Sequence, residues 1–223
     1  NNEIDILTLT ALFRSEFSID WMQELTGLKA SKILLALDQG VKQSWITRQT
    51  PDLYTFSDTS KQRELANGLT DSKKGHWHGR IANLLEPQVE TGSCVLRELA
   101  HHQLGTTPDL ASCQALVQTG DSLYRAFQHQ DALQCFTQAI DQLQSMRGDE
   151  ADGLFVEAVY LYCRIFTGDQ EYDWIMAAID AALVRAERLG FHPKRPLLIM
   201  HMAKYKWFSG HHATAIKTFD QGW

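Results

Sequence analysis

From Val89 to the end of this 223-residue chain, no stretch alternates apolar and polar side chains as a half-buried strand must. Residues 93–104, 111–128, 131–146, 153–167, 172–189, 196–209 and 212–220 instead read as amphipathic or buried helices. Short Gly-, Asp- or Pro-containing connections join them. Helices linked this tightly run antiparallel as neighbours, and repeated helical hairpins stack into a solenoid. Residues 89–223 are therefore expected to form a helical stack, and residues 1–88 a separate domain.

The first part mixes helix signals with one hairpin signal. Leu7, Leu9, Ala11, Leu12 and Phe13 mark a helix ending near Arg14-Ser15. Ser18 precedes the apolar-periodic run Ile19–Leu25, where its hydroxyl can accept an otherwise unpaired backbone N–H, and Gly27 ends that run. A third helix carries Ile33, Leu34, Leu37 and Val41. Ser44–Arg48 and Leu53–Phe56, rich in β-branched and aromatic residues around Pro51-Asp52, read as a two-stranded hairpin. Three helices followed by such a ribbon is the winged-helix order. Helix resumes at Lys61, breaks near Thr70-Asp71 and stops at Pro87.

Composition narrows the function. The net charge is −6; residues 1–88 hold 10 basic and 11 acidic side chains and residues 89–223 hold 11 and 16. Neither part has the basic excess that phosphate binding draws on, so nucleic acid is not the expected partner. No apolar run is long enough to cross a bilayer and no basic-then-apolar leader opens the chain, which points to the cytoplasm. Cys94, Cys113, Cys135 and Cys163 lie far apart without a C-x-x-C pair and are expected as buried thiols. The absence of an initiator Met and the stop at Gln221-Gly222-Trp223 within a helical pattern suggest a piece of a longer protein.

Gly120, Ala132, Phe136 and Ala139 fall at the spacing of the tetratricopeptide repeat, which this segment resembles. Small residues at Gly120 and Ala132 let two helices approach, and Phe136 fills the groove that the next hairpin caps. A second hairpin has Gly168-Asp169 at its turn and Ala178, Ala182 and Leu183 on its second helix. A third has Ala203, Gly210, Ala215 and Phe219 at the family spacing. The turn glycine of the first hairpin is replaced by Phe127-Gln128-His129.

Nearly the whole chain is similar to the arm of STAND-type signalling ATPases, such as the MalT-like transcription activators and related multidomain kinases and cyclases. The phrases that carry this are Ala11–Phe13 with Glu16–Ser18, Leu25–Leu28, Leu53–Phe56, His78–Glu86 and Glu98–His102. The histidine that usually follows the wing is absent, since Ser57-Asp58 follows Phe56. The resemblance implies a winged-helix domain followed by a tetratricopeptide-like α-α superhelix, with a nucleotide-binding domain placed before it in cis. It also implies a population shift, in which a ligand on the repeats changes how the winged helix holds that domain.

No phosphate-binding loop, nucleophile elbow or metal-ligating cluster appears, so neither a catalytic residue nor a cofactor or metal is expected. His76 and His78 point to opposite sides of a helix, and in each of the pairs His101-His102 and His211-His212 one ring is expected to pack while the other is solvated. The third helix offers Lys32, Lys42, Gln39 and Gln43 against Asp38, with Arg48 on the wing, a poor set for direct base readout.

The expected function is thus a non-catalytic regulatory fragment that binds a protein partner or small inducer on the first helices of its hairpins. The candidate residues are Gln114, Val117, Asp121, Tyr124 and Arg125 on the first hairpin and Leu197, Met200, Lys204, Trp207 and Phe208 on the third. The alternative is a winged-helix DNA-binding regulator whose repeats serve for dimerisation.

Overall fold

Asp5 starts the first helix by accepting the Thr8 backbone N–H at 3.1 Å, and the chain is mainly helical from there on. The computed structural model describes residues 5–89, 94–165, 171–190 and 193–220, and of Cys94 the backbone only. These residues form two compact units, Asn1–Thr107 and Pro108–Trp223. The segment 94–104, expected with the second part, belongs to the first.

In the first unit, α1 (Ile6–Thr10) is followed by β1 (Glu16–Ser18), α2 (Ile19–Thr26), α3 (Ala30–Lys42), β2 (Ile46–Arg48) and β3 (Leu53–Phe56). Ser18 accepts the Trp21 N–H at 3.1 Å, and Gly27 closes α2 with a left-handed φ of 69°. The sheet is antiparallel in the order β1-β3-β2, with Phe17 opposite Tyr54 and Thr47 opposite Thr55. The hairpin expected from the sequence thus gains a third strand, Glu16–Ser18. Ile33 and Leu37 of α3 are fully buried with Phe13, Phe17, Met22 and Tyr54, whereas Val41, one helical turn beyond Leu37, is exposed. Gly40 lets α3 approach the sheet, since a Cβ there would stand 2.9 Å from Ile46 Cδ1.

The first unit ends with α4 (Thr59–Asn67), α5 (Asp71–Leu85), a 3-10 turn at Glu86–Gln88 and α6 (Cys94–Leu104). Thr70 caps α5 through the Lys73 N–H, and Trp77, Ile81 and Leu85 of α5 extend the core.

The second unit holds α7 (Leu110–Arg125), α8 (His129–Leu143), α9 (Asp149–Arg164), α10 (Tyr172–Arg188), α11 (Arg195–Phe208) and α12 (His212–Asp220). Each packs on the next, and α7 touches α9 as α9 touches α11. Asp109 and Ser112 form a reciprocal capping box at the start of α7. Ala132, Phe136 and Ala139 are fully buried and Ala178 and Ala182 are buried, while Gly168-Asp169 lies outside the described residues. Where a turn glycine was missing from the first hairpin, Phe127 itself adopts a left-handed φ of 59°.

Between hairpins the clamp is Arg185 of α10. Its guanidinium donates to the Leu143 carbonyl at 3.1 Å and the Gln144 carbonyl at 3.0 Å, stands 3.4 Å from Asp152 and stacks 3.9 Å from the Phe155 ring centroid. It adds to the donors at the end of α8, where the Leu143 carbonyl also accepts the Met146 N–H and the Gln144 carbonyl the Arg147 guanidinium.

Candidate partner-binding groove

The first helices of the three hairpins present two different surfaces. On α7, Gln114 is exposed, and Asp121 pairs with Arg125 at 2.6 Å and with Arg164 of α9 at 3.7 Å. The Arg164 guanidinium sits 4.5 Å from the Tyr124 ring centroid, and Tyr124 stacks on His129 at 5.6 Å. Asp121, Tyr124 and Arg125 therefore form a self-paired polar cluster. Val117 is only 5% exposed, so its place among the partner-binding residues is corrected: the helix packed against α7 and α8 belongs to the next hairpin, and Val117 lies in the hairpin core.

The third hairpin is different. Leu197, Met200, Lys204 and Trp207 line a groove of about 480 Å³, completed by His201 and Ala203 on α11 and by Ala215, Ile216 and Phe219 on α12. Phe208 is exposed outside its lining. The structure brings four of the five expected α11 residues together, but draws the groove from α11 and α12 without the α7 residues. Ile216 was not anticipated as part of a site; the family spacing that picks out Ala215 and Phe219 was the signal that could have found it.

The polar groups at this groove are subdued. Lys204 Nζ donates to the Cys163 carbonyl at 3.0 Å, and burial pulls its pKa below the ordinary lysine value. Burial, with Lys204 and Arg164 nearby, lowers His201 to about 4, so its imidazole is neutral at pH 7. The groove can bury apolar surface and offers few hydrogen bonds.

The first unit has a cavity of about 570 Å³, with Asp5, Glu64, Lys73 and Trp77 in a mixed polar and apolar lining. Its most unusual polar feature lies inside the packing. His102 Nδ1 is 2.9 Å from His78 Nδ1, and His102 Nε2 is 3.2 Å from Glu98 Oε1. Glu98 accepts from the Arg14 N–H at 2.8 Å and the Ser15 hydroxyl at 2.6 Å. Burial alone would raise the Glu98 pKa, but the contacts from His102, Ser15 and Arg14 hold it at about 2. An ionised Glu98 calls for the His102 proton on Nε2, which leaves Nδ1 to accept from His78. His101 contacts the Leu12 carbonyl at 3.2 Å. Both members of the 101–102 pair are therefore packed and both members of the 211–212 pair are exposed, correcting the one-in, one-out expectation.

Among the described residues, no group of three or more His, Cys, Asp or Glu is placed to hold a metal ion. Cys113, Cys135 and Cys163 are free and buried, and burial pushes the three thiols up to about 11, 12 and 12, well away from thiolate chemistry at neutral pH. The Cys94 side chain lies outside the described residues. No helix among those described is long and apolar enough to cross a membrane. Comparison with protein-family models, with curated proteins and with solved structures finds no significant match to the chain.

Proposed function

We propose that this chain is a non-catalytic regulatory module of the STAND-type arm architecture, acting in the cytoplasm, with a protein partner or small inducer bound on its helical hairpins. In this reading the first unit is a winged helix and the second a run of tetratricopeptide-like repeats. The helix–strand–helix–helix–strand–strand order of the first unit and the three successive hairpins of the second support it.

The observation that carries the proposal is the groove between α11 and α12. Met200, Trp207, Ile216 and Phe219 stay exposed around it, although burying such side chains gains about 25 cal/mol per Å². Contiguous apolar surface of this kind marks a place where something binds. The outward side of α3 supports a protein-facing role for the first unit, since Leu35 is 64% exposed beside Asp38, between Lys32 and Lys42. A helix reading the major groove needs donors and acceptors there.

The test places a photo-crosslinking residue at Trp207 in cells that make the protein. A discrete adduct, protein or small molecule, that disappears on Met200→Glu is expected. Absence of an adduct at Trp207, combined with a salt-sensitive shift of DNA fragments by the purified chain, overturns this reading in favour of a DNA-binding regulator.

A further inference from the structure

The first unit ends on Gly105, Thr106 and Thr107, the residues that lead from α6 into Pro108 and the second unit. Gly75, His78 and Gly79 fall on one side of α5, at three- and four-residue steps, and this short segment lies along them. A Cβ on Gly75 would stand 2.9 Å from Thr107 Oγ1 and 3.7 Å from the Gly105 carbonyl, and one on Gly79 3.8 Å from Thr106 Cγ2. The tightest approach is at Gly105, where a Cβ would stand 2.6 Å from both Cγ and Cδ2 of His78. Gly105 is not among the left-handed glycines, so space and not backbone conformation demands it. The Gly105 N–H donates to the His102 carbonyl at 3.0 Å and the Thr106 N–H to the Gln103 carbonyl at 3.2 Å, which ties the segment to α6 as well.

His78 is also the far end of a buried chain of polar contacts. Its Nδ1 meets His102 Nδ1, His102 meets Glu98, and Glu98 accepts from the Arg14 and Ser15 N–H groups at 2.8 and 3.2 Å. Those two residues lie in the turn between α1 and the edge strand β1. His78, Glu98 and His102 are 8%, 4% and 0% exposed, so a partner that moves away leaves a buried polar atom unpaired. A ring pushed aside by a displaced Gly105 therefore weakens the hold of Glu98 on the turn. From this continuity we infer that Gly105–Thr107 is a strap, seated on α5, whose position is coupled through His78 to the Arg14–Ser15 turn ahead of β1. A pull on the strap from beyond Thr107 loosens that turn, and loosening the turn frees the strap, because coupling between two places acts in both directions. This coupling does not depend on what the hairpins bind, and it gives the chain a route from the unit boundary to the sheet.

Amide hydrogen exchange on the intact 223-residue chain, resolved by residue in NMR spectra, tests the coupling. Gly105→Ala puts a methyl group where the His78 ring stands. It is expected to speed exchange at Arg14 and Ser15 by about ten-fold or more, with α7 to α12 unchanged. Gly79→Ala is the control, since its methyl group only reaches ordinary contact with Thr106, and should leave both amides at parental rates. Read in reverse, Glu98→Gln should speed exchange at Gly105 and Thr106 by a similar factor. His78→Ala removes the ring that the methyl group strikes, so adding Gly105→Ala to it should change Arg14 and Ser15 no further. Parental rates at Arg14 and Ser15 in Gly105→Ala, or at Gly105 and Thr106 in Glu98→Gln, overturn the inference. So does equal loosening by Gly79→Ala, or a further loss when Gly105→Ala joins His78→Ala. If Gly105→Ala unfolds the first unit altogether, exchange at Gly105 and Thr106 in Glu98→Gln decides alone.

Discussion

A Cβ built on Gly120 of α7 would lie 2.6 Å from Cε1 of Phe136 on α8, a ring that is itself fully buried. Three ring atoms fall within 3.0 Å of that point, so the ring as a whole would have to move. The glycine is therefore a packing requirement of the first hairpin, because only a hydrogen fits where the aromatic ring meets the backbone. Gly120→Ala is expected to destabilise the second unit by about 1–3 kcal/mol of overpacking, despite the better helix propensity of alanine. Phe136→Leu in the same chain should recover part of that loss, and the two substitutions should be non-additive in a urea-denaturation cycle. Additive effects would mean that the two residues do not meet.

Arg185 supports a second prediction. Its guanidinium is buried with Asp152 and is the donor to two carbonyls at the end of α8. Arg185→Met removes the charge that offsets a buried carboxylate, leaving Arg188 at 3.0 Å as its remaining partner. A loss on the order of 3–5 kcal/mol is expected, as for other buried pairs broken on one side. Arg185→Lys should restore little, because a point ammonium cannot reach both carbonyls and the carboxylate as the planar fork does. Equal stability of the lysine variant and the parent, by thermal or urea unfolding, would show that the fork geometry contributes nothing.

How far these features could be read in advance depends on their range along the chain. The Ser18 cap, the Gly27 stop and the helical succession after Val89 are local patterns, and each falls where the sequence puts it. The strand Glu16–Ser18 was not legible: three residues make no period, and its partners Leu53–Thr55 are supplied by the fold. Helical periodicity on α7 marks Val117 and Tyr124 alike, and only the packed structure shows that Val117 is buried while Tyr124 is half-buried. The α11 side of the groove was legible because Ala203 and Gly210 before Ala215 and Phe219 mark a hairpin whose first helix is α11. The His78–His102–Glu98 cluster joins α5, α6 and the segment after α1, and no local motif announces it.

That cluster makes the first unit sensitive to acid. Burial first, and then the neighbouring histidines, hold His78 at about 3 and His101 at about 4, against the opposing pull of Glu98. In the unfolded chain both titrate near the ordinary value of 6.5. Between about pH 6.5 and 4 the unfolded chain takes up protons that the folded one refuses, so stability is full above this window and falls as pH drops through it. Each histidine contributes a slope of up to about 1.4 kcal/mol per pH unit. Glu98, held at about 2 against an ordinary 4.5, adds a further loss at pH values below that ordinary one. Urea midpoints followed by fluorescence should fall from pH 7.5 to pH 5, and His78→Gln should flatten the profile. A parent profile that is level over that range would contradict the assignment.

The last prediction concerns α3, the helix that would read DNA if the rival function held. Its buried side is set by Ile33, Leu37 and Gly40, which leaves Lys32, Leu35, Asp38, Gln39 and Lys42 facing outward. Two lysines and a carboxylate around a leucine give little net attraction to phosphate, and residues 1–88 have one more acidic than basic side chain. Strong, salt-dependent DNA binding draws on roughly six to ten phosphate contacts, each releasing counterions. The purified chain is therefore expected to leave genomic fragments unshifted at near-physiological salt, and Lys32→Ala/Lys42→Ala should change nothing. The informative substitution is Leu35→Glu, which leaves the buried side of α3 untouched. It should preserve the melting temperature while weakening any protein contact made through this face. A specific shift that steepens at low salt and is lost in the double-lysine variant would assign α3 to DNA and reverse the functional order of the two units.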